Sequence, residues 1–311
     1  MFDAASKAFF ATLAGSGTLK RLASRYGMRR HESFARRFIA GEQIAEALGA
    51  ARALEQAGLH VTLDLLGESV SSLEEADRAT RAYLSMVERM REAGVGRNIS
   101  VKLTQLGLAI DEATAFDNVR RVLDAAGAAN FFVRIDMENS PYTDLTLDTF
   151  ETLWRVNYRN VGVVLQSYLK RTEGDVRRMN TLGARVRLVK GAYREQPDVA
   201  LQRKADVDAA YLTQMRLLLT DGNYPAIATH DPAIIDATRA FASERGLAKG
   251  KFEFRMLYGI RRDLQTQLAS QGFPVRIYVP FGTEWFPYFM RRLGERPANI
   301  GFVLRSVARE K

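Results

Sequence analysis

Residues 131–138 read FFVRIDME. Val133, Ile135 and Met137 are apolar, while Arg134, Asp136 and Glu138 are charged. Such alternation is the period of a β-strand. The same rhythm recurs on both sides. Residues 99–104, ISVKLT, set Ile99, Val101 and Leu103 against Ser100, Lys102 and Thr104. Further on, Phe252, Phe254 and Met256 alternate with Glu253 and Arg255, and Val275, Ile277 and Val279 with Arg276 and Tyr278. In all, eight strand candidates emerge: 61–66, 99–103, 131–137, 161–166, 186–190, 225–229, 252–257 and 275–279. Helical patterns lie between them. Ser71–Glu74 reads as a capping box for a helix that stops near Gly94, and Asp231-Pro232 as an N-cap followed by proline at the first helical position. Gly183, Gly222, Gly246 and Gly272 fall where helices should end. Eight βα units over roughly 240 residues predict a single α/β domain, a (β/α)8 TIM-type barrel. A doubly wound open sheet is the runner-up, but no G-x-G-x-x-G follows the first strand.

In a parallel barrel one parity of each strand faces the helices and the other faces the lumen. The helices need the apolar parity, so the charged one lines the lumen. The inferred set is Asp64, Lys102, Arg134, Asp136, Glu138, Arg185, Arg187, Glu253, Arg255 and Arg276, six cations against four anions. Buried charges must be paired, so most of these read as structural ion pairs. The cationic excess points to an anion that arrives with a ligand. Nearest the C-terminal strand ends, where such barrels place their sites, are Lys102, Asp136, Gln166, Arg187, Leu257 and Tyr278.

Residues 1–58 read as a helical cap on the barrel of residues 59–311, with helices expected over 6–13, 18–26, 31–39 and 41–56. No chemistry is evident there. Near the other end, residues 285–297, WFPYFMRRLGERP, read as a helix over the barrel mouth. It sets Tyr288, Arg291, Arg292 and Glu295 on one face. Two guanidiniums side by side suit a carboxylate or phosphate, which the planar fork grips bidentately, and Glu295 can brace a fork from behind.

Composition removes several function classes. The 311 residues include no cysteine, which excludes thiol catalysis, thiolate zinc sites and iron–sulfur clusters. His31, His60 and His230 show no metal-ligand spacing, so no metal is expected. No apolar run reaches transmembrane length, and the N-terminus opens with an acid where a signal peptide carries positive charge. The formal charge of +9 allows an anionic ligand, an anionic membrane surface or nucleic acid. Nucleic acid is not expected, because the cations fall on lumen positions rather than along an exposed stripe.

Taken together, the segments ISVKLTQLG (99–107), VRIDMENS (133–140), VGVVLQSYLKR (161–171), VRLVKGAY (186–193), IATHD (227–231), FEFRMLYG (252–259), RIYVPFG (276–282) and YFMRRLGERPAN (288–299) make the chain resemble the monofunctional bacterial proline dehydrogenases. These flavoenzymes are related to the proline-oxidising domain of the bifunctional PutA proteins. The segments run in family order through the whole barrel, whereas the first 58 residues match poorly. The resemblance implies oxidation of L-proline to 1-pyrroline-5-carboxylate, with hydride moving from proline C5 to N5 of a non-covalent FAD and electrons passing to a membrane quinone. It implies that Arg291 and Arg292 clamp the proline carboxylate, with Glu295 holding one of them and Lys102 as a third cation. Asp136 would pair with Lys102 or serve the catalytic centre, and Arg187 would sit beside the flavin. Tyr193, Leu257, Tyr278 and Tyr288 would wall the ring. Gln166, Met137, Lys190, Gly191, Ala192, Thr229 and His230 would contact the cofactor. A cytoplasmic location with peripheral membrane contact follows, as does a 1-pyrroline-5-carboxylate dehydrogenase as partner.

Two rivals remain open from sequence alone. One is a barrel aldolase or lyase using Lys102 or Lys190 as a Schiff-base amine. The other is a basic nucleic-acid module. Bare ion pairing is also open for Arg187 with Asp136 or Glu138.

Overall fold

The computed structural model describes residues 34–294. Eight parallel strands close into a barrel: β1 (His60–Leu65), β2 (Asn98–Val101), β3 (Phe132–Ile135), β4 (Val161–Gln166), β5 (Arg185–Val189), β6 (Ala226–Ala228), β7 (Glu253–Leu257) and β8 (Val275–Phe281). The helices are α1 (Ile44–Gln56), α2 (Leu73–Ala93), α3 (Glu112–Ala128), α4 (Thr143–Arg155), α5 (Thr172–Leu182), α6 (Lys204–Asp221), α7 (Pro232–Glu244), α8 (Arg262–Ser270) and α9 (Trp285–Gly294). The apolar parity of the strands, including Val133, Ile135, Phe254 and Ile277, packs in one cluster with the inner faces of the helices.

Several strand ends differ from the sequence reading by one or two residues. β3 stops at Ile135 rather than Met137, and β2 at Val101, so Lys102 and Asp136 lie just past their strands. The ladder persists one bond further, from Asp136 N to Val101 O (2.9 Å), which keeps both residues in register at the mouth. β8 runs through Pro280 to Phe281, because β1 continues to pair with it as far as Leu65.

Helix punctuation mostly follows the sequence. Gly94 and Gly183 close their helices in the left-handed conformation that glycine adopts without strain. Asp231 caps α7 by accepting from Ala233 N, with Pro232 next. The α2 cap is one residue later than expected. Ser72 accepts from Glu75 N, while the Glu75 carboxylate accepts from Ser71 N. The Ser71-Ser72 pair precedes a Glu74-Glu75 pair, so the pattern fits two frames and the later one wins.

At the N-terminal side, residues Phe34–Arg37 form a short 3-10 turn and α1 begins at Ile44 rather than near Gly41. The Glu46 carboxylate accepts from Glu42 N and Gln43 N (2.9 and 3.0 Å) and so sets that start. The helices expected over 6–13 and 18–26 lie outside the described residues. α1 packs against β1 and β8, and its Ala47 and Ala51 join the barrel's main core. The helix that precedes the first strand therefore covers the seam between first and last strands. That leaves α9 for another place. Its Trp285, Phe286, Tyr288 and Met290 cluster with Phe38, Ile39, Leu66 and Tyr278. Trp285 Nε1 donates to Glu42 Oε1 (2.9 Å). The helix thus lies at the C-terminal ends of β1 and β8.

The lumen follows a size rule. From β2 to β7 the even strands contribute small side chains, Ser100, Gly162, Ala226 and Ala228, beside Arg134, Arg187 and Arg255 of the odd ones, while β8 departs from this with Arg276 and Tyr278. At Gly162 an added Cβ would lie 2.5 Å from Arg185 O and 2.7 Å from Arg134 Nη1. Glycine there makes room for the neighbouring guanidinium.

Candidate active site

At the mouth, four elements bring one charge cluster together. Lys102 Nζ lies 3.0 Å from Asp64 Oδ1 and 3.7 Å from Asp136 Oδ2. Its nearest carboxylate is therefore Asp64 on β1, not Asp136 as the sequence suggested. Asp136 instead takes an ion pair from Arg187 Nη2 and a hydrogen bond from Tyr278 OH (2.9 Å). The Arg187 guanidinium also rests 5.2 Å from the Tyr278 ring centroid. Burial pushes the Asp136 carboxyl up, but Arg187 and Lys102 outweigh it and hold the group below the usual carboxylate range. Asp64, wholly enclosed, is pushed up by burial and only partly relieved by Lys102. For Lys102, burial opposes charge, yet Asp64, Tyr278 and Asp136 together raise it well above an ordinary lysine. A lysine held so firmly as an ammonium is a poor Schiff-base nucleophile.

A second cluster closes the mouth from above. Arg291 on α9 donates both guanidinium ends to Glu68, in the loop after β1 (3.2 and 2.6 Å). Burial lowers the Arg291 guanidinium's affinity for its proton, but Glu68 more than restores it. The phenol of Tyr193 is pushed up by burial and by Glu68, with Arg291 opposing, which ties Tyr193 to this cluster. Arg292 is buried with its guanidinium 5.1 Å from the Tyr288 ring centroid. Glu295, the expected brace, lies outside the described residues. Leu257, at the end of β7, is half-buried.

Glu68 is the functional candidate that the sequence reading missed. Its place is set by a relay. Thr104 Oγ1 accepts from Ser69 N (3.1 Å) and donates to Glu138, and Glu138 also accepts from Thr104 N (3.1 Å). Its one available signal was position, in a Gly-Glu-Ser turn directly after the first strand, where barrels of this kind place their sites.

The remaining candidates line the ends of β4 to β6. Gln166 Nε2 donates to Glu138 O (2.8 Å). Lys190 Nζ sits between Asp208 and Asp231 (2.5 and 3.0 Å), so this second candidate amine is also doubly paired. Gly191 adopts φ +121°, and a Cβ there would lie 2.3 Å from the Tyr168 ring, so this close approach is to a neighbouring side chain. Ala192 is exposed. Thr229 Oγ1 accepts from Asp231 N (3.0 Å), and His230 Nε2 accepts from Leu257 N (2.9 Å), fixing the end of β6 to that of β7. The Met137 side chain belongs to the barrel core, as its apolar parity requires, which leaves only its main chain for the mouth.

Comparison with known proteins agrees with this frame along nearly its whole length. A family model described as proline dehydrogenase matches residues 47–305. "Proline dehydrogenase 2" of Bacillus subtilis (strain 168) is 40% identical over 302 residues, covering 97% of this chain and 98% of the relative. "Proline dehydrogenase" of Deinococcus radiodurans is 42% identical over 279 residues, covering 88% and 90%. Among solved structures, proline utilization A (PutA) from Bdellovibrio bacteriovorus superposes with a TM-score of 0.77 at 28% identity. That match covers 83% of this chain and 32% of the other, so the likeness is to one part of a longer protein. With relatives matched almost end to end, the chain belongs to the proline dehydrogenase family, oxidoreductases that act on the CH–NH group of proline.

Proposed function

We propose that the mouth oxidises L-proline to 1-pyrroline-5-carboxylate using non-covalent FAD, with a membrane quinone as the electron acceptor. The observation that carries this reading is charge balance. Around the mouth three carboxylates, Asp64, Asp136 and Glu68, stand in ion pairs with three cations, Lys102, Arg187 and Arg291, and Glu138 and Arg292 add one buried group of each sign. A zwitterion of zero net charge enters such a site without unbalancing it. Its carboxylate meets the cations and its ammonium the acids.

Arg291 and Arg292 hold the substrate carboxylate. A carboxylate arriving at Arg291 competes with Glu68 for the same fork, so binding and Glu68 are coupled. Lys102 adds positive potential below, and Asp136 orients the ammonium while keeping Arg187 in place. Tyr193, Leu257, Tyr278 and Tyr288 exclude water from the ring.

FAD fits the donor set at the ends of β4 to β6. The buried Arg187 Nε has no partner. Gln166, Lys190, Thr229, His230 and the main chain at Met137, Gly191 and Ala192 surround the same rim. FAD held there would supply a hydride acceptor for proline C5 once the ammonium has given its proton to water, and Arg187 would favour negative charge on the reduced ring. Of the cap expected over residues 1–58, α1 covers the β8–β1 seam of the catalytic barrel, and residues 1–33 lie outside the described residues. Among the described residues no helix is long and apolar enough to cross a membrane. The +9 charge suits peripheral contact with an anionic surface on the cytoplasmic side, and the product suits a 1-pyrroline-5-carboxylate dehydrogenase as partner.

The test is optical. The purified protein should be yellow, and anaerobic L-proline should bleach its visible band while 1-pyrroline-5-carboxylate accumulates. A colourless protein that takes up no added FAD would sink the reading.

A further inference from the structure

The opposite end of the lumen is charged in a way that the mouth chemistry does not use. Arg134 on β3 is 2% exposed, and no carboxylate of the described residues lies within ion-pair distance of it. Its Nη1 donates to two main-chain carbonyls, Val163 O (3.2 Å) and Arg185 O, and its guanidinium stacks on Phe132 (4.9 Å). Its Nε has no partner. Arg255 on β7, also 2% exposed, spends Nε on Glu253 (2.8 Å) and Nη2 on Asn98 Oδ1 (3.2 Å), which leaves Nη1 unpartnered. Glu253 is shared with Arg276, whose Nε lies 3.0 Å from Oε2. One carboxylate thus pairs with two guanidiniums, and the third, Arg134, has none.

A buried cation without a counter-charge is strongly unfavourable. The electrostatics register the strain. Burial, then Arg255 and Arg187, depress the Arg134 guanidinium well below its ordinary value, and burial depresses Arg255 to about 10 despite its contact with Glu253. Lysine in this setting would shed its proton. Arginine does not, so relief has to come from an anion. Water would satisfy the idle N–H groups but would leave the charge. On the neighbouring strands small side chains, Ser100, Ala226 and Ala228, stand in register with these arginines and Arg187. Arg185 is exposed and Arg276 half-buried at the N-terminal rim, where they present positive charge to solvent.

We propose that the barrel floor is an anion site, in which Arg134 and Arg255, backed by Arg276, hold one small monovalent anion of halide size beneath the active site. The crowding of the guanidiniums favours a monatomic ion over phosphate or a carboxylic acid.

The test uses the intact protein. Crystals grown with bromide in place of chloride should show an anomalous peak within hydrogen-bond reach of Arg134 Nε and Arg255 Nη1. In solution, Tm should be higher in chloride than in gluconate at equal ionic strength, and the increment should grow with the logarithm of chloride concentration. Arg134→Gln should lose that increment and keep its KM for proline. If the variant does not fold, the bromide map and the two-salt comparison on the wild type still decide. Ordered waters with no anomalous signal, together with equal Tm in the two salts, would overturn the proposal.

Discussion

The two ends of one barrel solve the same problem differently. At the mouth, Asp64, Asp136, Glu68 and Glu138 stand against Lys102, Arg187, Arg291 and Arg292, as many carboxylates as cations. On the floor, Glu253 alone answers Arg255 and Arg276, and Arg134 has only carbonyls and a ring. A balanced cluster suits a ligand of zero net charge, whereas an unbalanced one calls for a charged ligand. The difference separates the roles. Floor residues should govern stability and salt response, and mouth residues should govern proline kinetics.

Removing the single floor carboxylate should have the largest effect. Glu253→Gln leaves three guanidiniums around a neutral amide and should destabilise the fold by about 3–5 kcal/mol, as breaking a buried pair does. Denaturant unfolding at neutral pH measures it. The pH dependence has a definite sign. Burial opposes the charge of Glu253, but Arg255 and Arg276 outweigh it and bring the group from 4.5 down to about 2. Its stabilisation is therefore present above 4.5 and lost as pH falls toward about 2. The variant should lack that part of the acid-induced loss. An unchanged acid profile would mean that Glu253 does not carry the floor.

Asp136→Asn tests the other end. It keeps the shape but removes the charge that holds Arg187. The expected loss in kcat/KM for proline is roughly tenfold to a hundredfold, the worth of a charge-assisted hydrogen bond at about 1.5–3 kcal/mol. If stability falls as far as in Glu253→Gln while kinetics stay intact, the division between the two ends is wrong.

Gly162→Ala sharpens the comparison. The added methyl presses on Arg134 and on Arg185 O. Overpacking of this kind costs about 1–3 kcal/mol, seen as a lower Tm, with proline KM unchanged. Tyr278→Phe removes one hydrogen bond to the Asp136 carboxylate, worth about 1.5–3 kcal/mol as a bond to a charged group, and should appear in proline turnover rather than in Tm.

Much of this was legible in the chain. Strand alternation placed Arg134, Asp136, Arg187, Glu253 and Arg255 in the lumen before any coordinates, because a helix layer demands the apolar parity. Pairing was legible only in part. Lys102 with Asp136 and Arg187 with Asp136 both form, but parity does not say which side chains meet across a closed barrel, and the nearer partner of Lys102, Asp64, gave no sign. Glu68 was missed because an irregular turn carries no period. The α2 cap slipped by one residue because Ser71 and Ser72 each precede a glutamate by three. α1 gave no sign that it would cover the β8–β1 seam and leave α9 for the mouth, since that depends on what else competes for the place.

The central claim is that the α9 arginines take the substrate's carboxylate, and steady-state kinetics on two substrates test it most directly. Arg291→Met and Arg292→Met should each raise the KM for proline roughly tenfold to a hundredfold, about 1.5–3 kcal/mol, with part of the loss in kcat because the clamp also sets the reacting distance. Arg→Lys should recover little, since an ammonium cannot reproduce the planar fork. For pyrrolidine, which lacks the carboxylate, wild-type turnover should be poor and both methionine variants nearly silent. Proline kinetics left intact by both substitutions, or pyrrolidine turnover lost as steeply as proline turnover, would contradict the account.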